Sequence, residues 1–160
     1  MDDRRQAKKK NFAEEVGIVF EQTGLPPMSG RIFGWLLISD PPHQSISELA
    51  EALMASKGSI STMARLLMQT GLIERFSLPG VRHDYLRLHP DAWRHMIKRG
   101  VEDEIKMIHQ IAERGLELIS DKNHPNQKWL EEMHIMYASL EREFPALLER
   151  FEKEGMEALK

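Results

Sequence analysis

The chain has 160 residues, of which 41% are hydrophobic, and a formal net charge of −3, so it can bury one core and is too apolar for wholesale disorder. It contains no cysteine, which excludes a disulfide framework and thiolate metal sites and suits a reducing compartment. No apolar run approaches a membrane span, and the charged start lacks the apolar core of a signal peptide, so we expect a soluble, cytoplasmic protein.

Two helices are predicted before residue 40. Residues 2–23 carry an apolar stripe that includes Phe12 and Phe20, and Gly24 follows as a helix stop. Ser29 is expected to cap a second helix through Ser39, which is apolar nearly all round and should be a buried strut. The basic residues of the start read as a solvated terminus, with contact to phosphate as the alternative.

A helix-turn-helix is predicted over residues 45–69. Ser45 with Glu48 forms a capping box at the start of the first helix, and Ser56 can cap the second. In the second helix, apolar side chains recur at i, i+3, i+4 and i+7, namely Ile60, Met63, Ala64 and Leu67. The turn carries Met54, where many such motifs have a glycine, and that glycine would allow a positive φ.

The other face of the second helix has the chemistry of a DNA-reading surface. It shows short hydrogen-bonding side chains and one long cation without a carboxylate, as major-groove recognition requires: Ser59, Ser61, Thr62, Arg65 and Gln69. Arg65 could pair with guanine, and Lys57, near the helix start, suits a phosphate. Ser56 and Ser59 are as well explained as caps alone.

A β-hairpin is predicted directly after this helix, as two alternating segments, 72–76 and 84–88, around a turn at Pro79-Gly80. Such a hairpin is a wing, and Arg82 near its tip could enter the minor groove or meet the backbone. Residues 57–90 hold five basic and two acidic side chains, a net charge of +3. Positive charge therefore gathers around the predicted helix-turn-helix and wing, residues 45–88, which we call the reading head.

The rest of the chain is predicted to be helical and acidic. One helix should run from Asp91 to about Ser120, a break follows at residues 122–125, and a last helix begins at Asn126, with Pro145 kinking or splitting it. Residues 91–160 hold 11 basic and 15 acidic side chains, a net charge of −4. Two long helices would leave apolar surface exposed in a monomer, so we infer a homodimer.

The run from Ile46 to Leu88 resembles the winged helix-turn-helix of MarR-type bacterial transcriptional regulators, most closely their GbsR-like branch. The matching residues are Leu49, Ala50, residues 56–61, residues 71–73, Pro79, Gly80 and Arg82. The resemblance implies a homodimer that binds a pseudo-palindromic operator, usually as a repressor. In many members a small effector changes the affinity for DNA.

The sequence therefore predicts a mainly α fold with a two-stranded wing and long flanking dimerisation helices. Residues 1–25 would form an N-terminal helix in contact with the dimer partner, 26–90 the DNA-binding domain and 91–160 the dimerisation region. The function would be sequence-specific binding of double-stranded DNA, with no enzyme activity, since no catalytic motif is present. The DNA contacts would come from Ser56, Lys57, Ser59, Ser61, Thr62, Arg65 and Arg82. The alternative is a winged-helix module that binds protein instead of DNA.

Neither a cofactor nor a metal site is predicted. Residues 131–134 contain one E-x-x-H, whereas a carboxylate-bridged di-iron bundle needs two, and His83, His89 and His95 do not share one element. An effector with a quaternary ammonium group could use an aromatic cage, for which Trp93, Trp129 and Tyr137 are candidates beside Trp35. Core packing is the alternative for each of these rings.

Overall fold

A computed structural model describes residues 2–119 and 123–159 of the chain, which form helices around one small sheet. In chain order the elements are α1 (Asp2–Gln22), α2 (Pro27–Ile38), α3 (Ile46–Ala52), α4 (Lys57–Gln69), β1 (Ile73–Ser77), β2 (Asp84–Leu88), α5 (Ala92–Ile97), a π-helical turn (Lys98–Glu102), α6 (Asp103–Leu118) and α7 (Gln127–Ala158). The predicted fold class, mainly α with a two-stranded wing, is confirmed. No helix within the described ranges is long and apolar enough to cross a membrane.

The chain divides into two compact units. The N-terminal unit spans Met1–Met96 and the C-terminal unit Ile97–Lys160. The predicted boundary between DNA-binding and dimerisation regions, at residue 90, lies a few residues earlier.

The core of the N-terminal unit is built around α2, as its all-round apolar sequence predicts. Ile32 and Leu36 of α2 are buried together with Ile60 and Leu67 of α4. The helix is not capped by Ser29, however. Ser29 lies inside the first turn, fully buried, and its hydroxyl donates to the carbonyl of Pro26 at 2.6 Å. Pro26 and Pro27 start the helix instead, because a proline in the first turn leaves no backbone donor unpaired.

Helix α1 packs closely along α2 because α2 presents glycine to it. A Cβ atom at Gly30 would lie 2.7 Å from the carbonyl oxygen of Val16, and one at Gly34 would lie 2.9 Å from the Val16 side chain. The sequence analysis predicted that α1 contacts the dimer partner. Within the N-terminal unit its inner face, including Ala13 and Phe20, is already buried in the core.

Three helices of the N-terminal unit end in the same way, with a left-handed residue directly after the C-cap. Gly24 after α1, Met54 after α3 and Gly71 after α4 have φ values of +84°, +50° and +74°. At each end the next residue donates to a carbonyl five residues back, as in a Schellman motif, for example Leu72 to Leu67 at 2.9 Å. Met54 therefore does occupy a position that glycine would fill with less strain.

The wing is a regular antiparallel hairpin with Ile73 opposite Leu88 and Ser77 opposite Asp84. Its inner residues Ile73 and Leu86 are buried in the core. Gln44, just before α3, exchanges two backbone hydrogen bonds with Leu86, at 2.9 and 2.8 Å. These bonds attach the wing to the start of the helix-turn-helix.

The helices after Asp91 differ from their predicted form by one π-helical turn. The helix expected from Asp91 to about Ser120 is continuous from Ala92 to Leu118, with a π-helical turn around Gly100 between α5 and α6. Its predicted end at Ser120, and Lys122 in the predicted break, lie outside the described residues. Helix α7 runs through Pro145 without a break, so the proline does not split it.

Candidate nucleic-acid interface

The helix-turn-helix is held by side-chain caps at both helix starts. Ser45 Oγ accepts the backbone N–H of Glu48 at 3.1 Å, and Glu48 Oε2 accepts the N–H of Ser45 at 2.7 Å, which completes the predicted capping box. Ser56 Oγ accepts the N–H of Ser59 at 3.1 Å. The backbone N–H groups in the first turn of a helix have no acceptor within the helix. Because the serine and glutamate side chains accept these N–H groups, they fix where α3 and α4 begin.

Helix α4 has one buried and one exposed face, as its periodicity predicts. Ile60, Ala64 and Leu67 are at most 1% exposed. Thr62 and Arg65 lie on the opposite, exposed side. A helix whose inner face is fixed in a core presents its outer face rigidly, which a reading surface requires.

Some of the serine and threonine hydroxyls predicted to contact DNA already make hydrogen bonds within the protein, and others are only partly buried. Ser56 acts as the cap of α4, and the Thr62 hydroxyl donates to the carbonyl of Gly58 at 2.9 Å. Ser59 and Ser61 are half-buried on the flanks of the helix. Ser56 can therefore still donate its O–H to an acceptor on DNA, and the Thr62 oxygen can still accept a hydrogen bond from a base, but their present partners orient both side chains.

The basic side chains around the reading head fall into two groups. Arg87 pairs with Glu74 at 2.7 Å, directly across the wing, and Arg75 lies 3.7 Å from Asp84. Lys57, Arg65 and Arg82 are exposed and make no ion pair with any residue in the described ranges. The three unpaired cations are the same three that the sequence assigned to DNA.

The wing presents Arg82 beyond a packed aromatic base. Arg82 lies in the loop between β1 and β2, where Gly80 takes a φ of +80°. Below it, the ring of Tyr85 contacts the rings of His43 and His83 with centroids 4.8 and 4.9 Å apart. These ring contacts give the hairpin a rigid base from which the exposed Arg82 extends.

The aromatic residues considered for an effector occupy different surroundings. Trp35 is 8% exposed and belongs to the core of the N-terminal unit. Trp93 on α5 is partly exposed, and the guanidinium of Arg94 lies 5.2 Å from its ring centroid. Trp129, which is 64% exposed, and half-buried Tyr137 lie on α7 in the C-terminal unit.

A capped helix-turn-helix, a two-stranded wing and a cationic outer face define a winged-helix protein of the kind that binds double-stranded DNA. Residues 23–82 match the model of the MarR family, and residues 91–154 match the model of MmpR5-like MarR family transcriptional regulators. The chain is 38% identical over 143 residues to the HTH-type transcriptional regulator MmpR5 of Mycobacterium tuberculosis. The aligned region covers 88% of this chain and 84% of that protein. It is also similar to a solved transcriptional regulator, with a TM-score of 0.70 and 37% identity over 91% of this chain and 99% of that one.

The chain therefore belongs to the MarR family of transcriptional regulators, and its function is that of a DNA-binding regulator. Its C-terminal half matches the MmpR5-like group. The narrower resemblance to the GbsR-like branch stays a prediction from the sequence.

Proposed function

We propose that the protein acts as a homodimer that places one α4 helix per subunit in successive major grooves of a pseudo-palindromic operator. The observation that supports this most directly is the set of three exposed cations, Lys57, Arg65 and Arg82, which have no acidic partner among the described residues. Recognition helices of a dimer lie about 34–36 Å apart on such a site. Arg65 would read a base, while Lys57 and Arg82 would bind phosphate or the minor groove.

The hydroxyl side chains have a secondary part in this proposal. Ser61 and Thr62 would lie in the groove beside Arg65, whereas Ser56 and Ser59 would contact phosphate at the helix start. The cap bond of Ser56 leaves it the less specific of these contacts.

The dimer contact is proposed to come from an apolar stripe on α7. Its members recur in steps of three and four residues, and most are exposed within the unit: Trp129, Met133, Met136, Leu140, Phe144, Leu147 and Phe151. A stripe with this spacing is the pattern by which helices pair. The N-terminal α1 is the second candidate for contact with a partner subunit.

We further propose that the protein represses transcription in the cytoplasm and responds to a small effector. The effector proposal rests on exposed Trp129 and half-buried Tyr137, both on α7, whereas Trp93 already carries a cation over its ring. Titration with choline, followed by tryptophan fluorescence, tests it. A saturable fluorescence change that Trp129→Leu abolishes would support an aromatic cage. If choline does not change the fluorescence, quaternary ammonium compounds are excluded as effectors.

Fluorescence anisotropy tests the DNA proposal. Wild type is titrated onto the DNA upstream of its own gene and onto a scrambled duplex over a salt series. Arg65→Ala should lose the preference between the two, since a bidentate contact to guanine discriminates by about 1–3 kcal/mol. Arg82→Ala should weaken binding to both duplexes. It should also lower the salt slope, which is the magnitude of the slope of the logarithm of the binding constant against the logarithm of the salt concentration, by about one.

Arg75→Ala is the matched control for the wing. It removes a wing cation that faces Asp84, so we expect a smaller change in salt slope than for Arg82→Ala. If wild type selects no sequence even from a random duplex pool, the operator proposal fails. A protein-binding module would then be the better interpretation of the winged helix.

A further inference from the structure

The C-terminal unit contains a cluster of side chains that the DNA-binding proposal does not use. His109 and Glu113 lie one turn apart on α6, and His134 lies on α7. One nitrogen or carboxylate oxygen from each of the three lies within 4.8 Å of the others. The distance between His109 Nε2 and Glu113 Oε1 is 3.8 Å.

Two ring nitrogens in this cluster are buried without a hydrogen-bond partner. They are Nε2 of His109 and Nδ1 of His134. A buried nitrogen without a partner is costly, and native proteins rarely leave two together. The His109 and His134 rings have centroids 4.9 Å apart and planes tilted by 39°, and one nitrogen of each ring lies within 4.8 Å of the other.

A fourth residue orients the first histidine. Nδ1 of His109 lies 2.5 Å from Oε2 of Glu141, on the next turns of α7 after His134. When Nδ1–H is donated to this carboxylate, Nε2 keeps its lone pair directed away from Glu141. A carboxylate that holds the outer nitrogen of a histidine in this way is the usual support of a metal-ligating imidazole.

We propose that His109, Glu113 and His134 bind a divalent transition-metal ion, with Glu141 as the positioning residue. Two imidazoles and one carboxylate are a ligand set that Zn²⁺ accepts, with a fourth position left for water or another ligand. Ligand atoms around tetrahedral Zn²⁺ lie about 3.3 Å apart, so side-chain rotations must close the present separations. The ion would join α6 to α7 within the C-terminal unit, and none of its ligands is among the residues proposed to contact DNA.

Isothermal titration of the full-length chain with zinc chloride tests the site, with equilibrium dialysis to count bound zinc. Wild type should bind one Zn²⁺ per chain. His134→Gln and Glu113→Gln should each weaken binding by more than about 100-fold, and Glu141→Gln by about 10–100-fold, as loss of an outer-shell partner does. Magnesium chloride should give no binding, since Mg²⁺ prefers oxygen ligands.

Two matched controls separate this site from adventitious binding. Glu117→Gln changes an exposed glutamate one turn beyond Glu113 on α6, and His124→Gln removes an exposed histidine before α7. Both should bind Zn²⁺ as wild type does. The proposal is overturned if wild type binds no stoichiometric Zn²⁺, or if the controls weaken binding as much as His134→Gln and Glu113→Gln do. Glu113 is exposed, so its variant should fold even if His134→Gln does not.

Discussion

The two units of this protein bury their apolar side chains to very different extents. The N-terminal unit has a connected core drawn from α1 to α5 and both strands. In the C-terminal unit, among the described residues, only Ile105 and Ala112 are buried hydrophobics. Large side chains there remain exposed, among them Leu118 at 84% and Phe151 at 70%.

The difference shows that the two units solve the same physical problem in different ways. Two helices cannot enclose a core by themselves, so we expect the proposed dimer to cover the apolar surface of α6 and α7. The N-terminal unit is instead closed by capped helix ends and a hairpin, which is what a rigid reading head requires. The comparison predicts that substitutions in the N-terminal unit change folding stability, whereas those on α7 change association.

The largest expected effect is on association. Met136→Lys places a charge in the middle of the apolar stripe of α7. Because a twofold interface contains the change twice, at about 2 kcal/mol each, the dimer should weaken by about 1,000-fold. Light scattering after size exclusion, over a concentration series, measures this. Glu149→Lys, which adds a lysine away from the stripe, should leave the mass unchanged, and a monomeric wild type would refute the dimer.

The next effect is on folding stability. Leu49→Ala removes a fully buried side chain from α3 and should lower the free energy of unfolding by about 2–5 kcal/mol, through lost transfer energy and the cavity left behind. Leu118→Ala, the same substitution at a position that is 84% exposed within one chain, should change it by less than about 0.5 kcal/mol when both variants are measured in the monomeric Met136→Lys background. Urea denaturation followed by circular dichroism compares them. Equal losses would contradict the contrast between the units.

A smaller effect is expected at the start of the helix-turn-helix. Ser45→Ala removes the acceptor for the N–H of Glu48 and should destabilise the protein by about 1 kcal/mol. Thermal unfolding measures the shift, with Ser47→Ala as the control inside α3. If the two variants melt together, the capping box contributes no net stability.

The smallest effect, and the only stabilising one, is expected at Met54. Met54→Gly relieves a left-handed conformation that costs a methionine about 1–2 kcal/mol, although glycine also gives the unfolded chain more freedom. The free energy of unfolding should rise by about 0.5 kcal/mol in the same urea assay. Because Met54 is 82% exposed, no packing is lost with its side chain. A lower stability would show that the side chain has a role beyond the turn.

The local features of the reading head were determined by the sequence. Both helix caps, the apolar face of α4 and the presence of a hairpin follow from spacing between residues less than about 16 positions apart. Such contacts form within one element or between neighbours, so residue type and interval are enough to predict them. The sequence also assigned Lys57, Arg65 and Arg82 to DNA, and their contact with DNA stays a prediction.

Other features were decided only by the tertiary structure. Ser29 looked like a cap but is buried inside the first turn of α2, because the prolines before it already begin the helix. Which arginines remain unpaired depends on cross-strand partners such as Glu74 for Arg87. His109 and His134 are 25 positions apart, and no sequence pattern connects them. Their ring nitrogens lie close together because α6 and α7 pack against each other. That packing depends on many weak contacts at once rather than on any local motif.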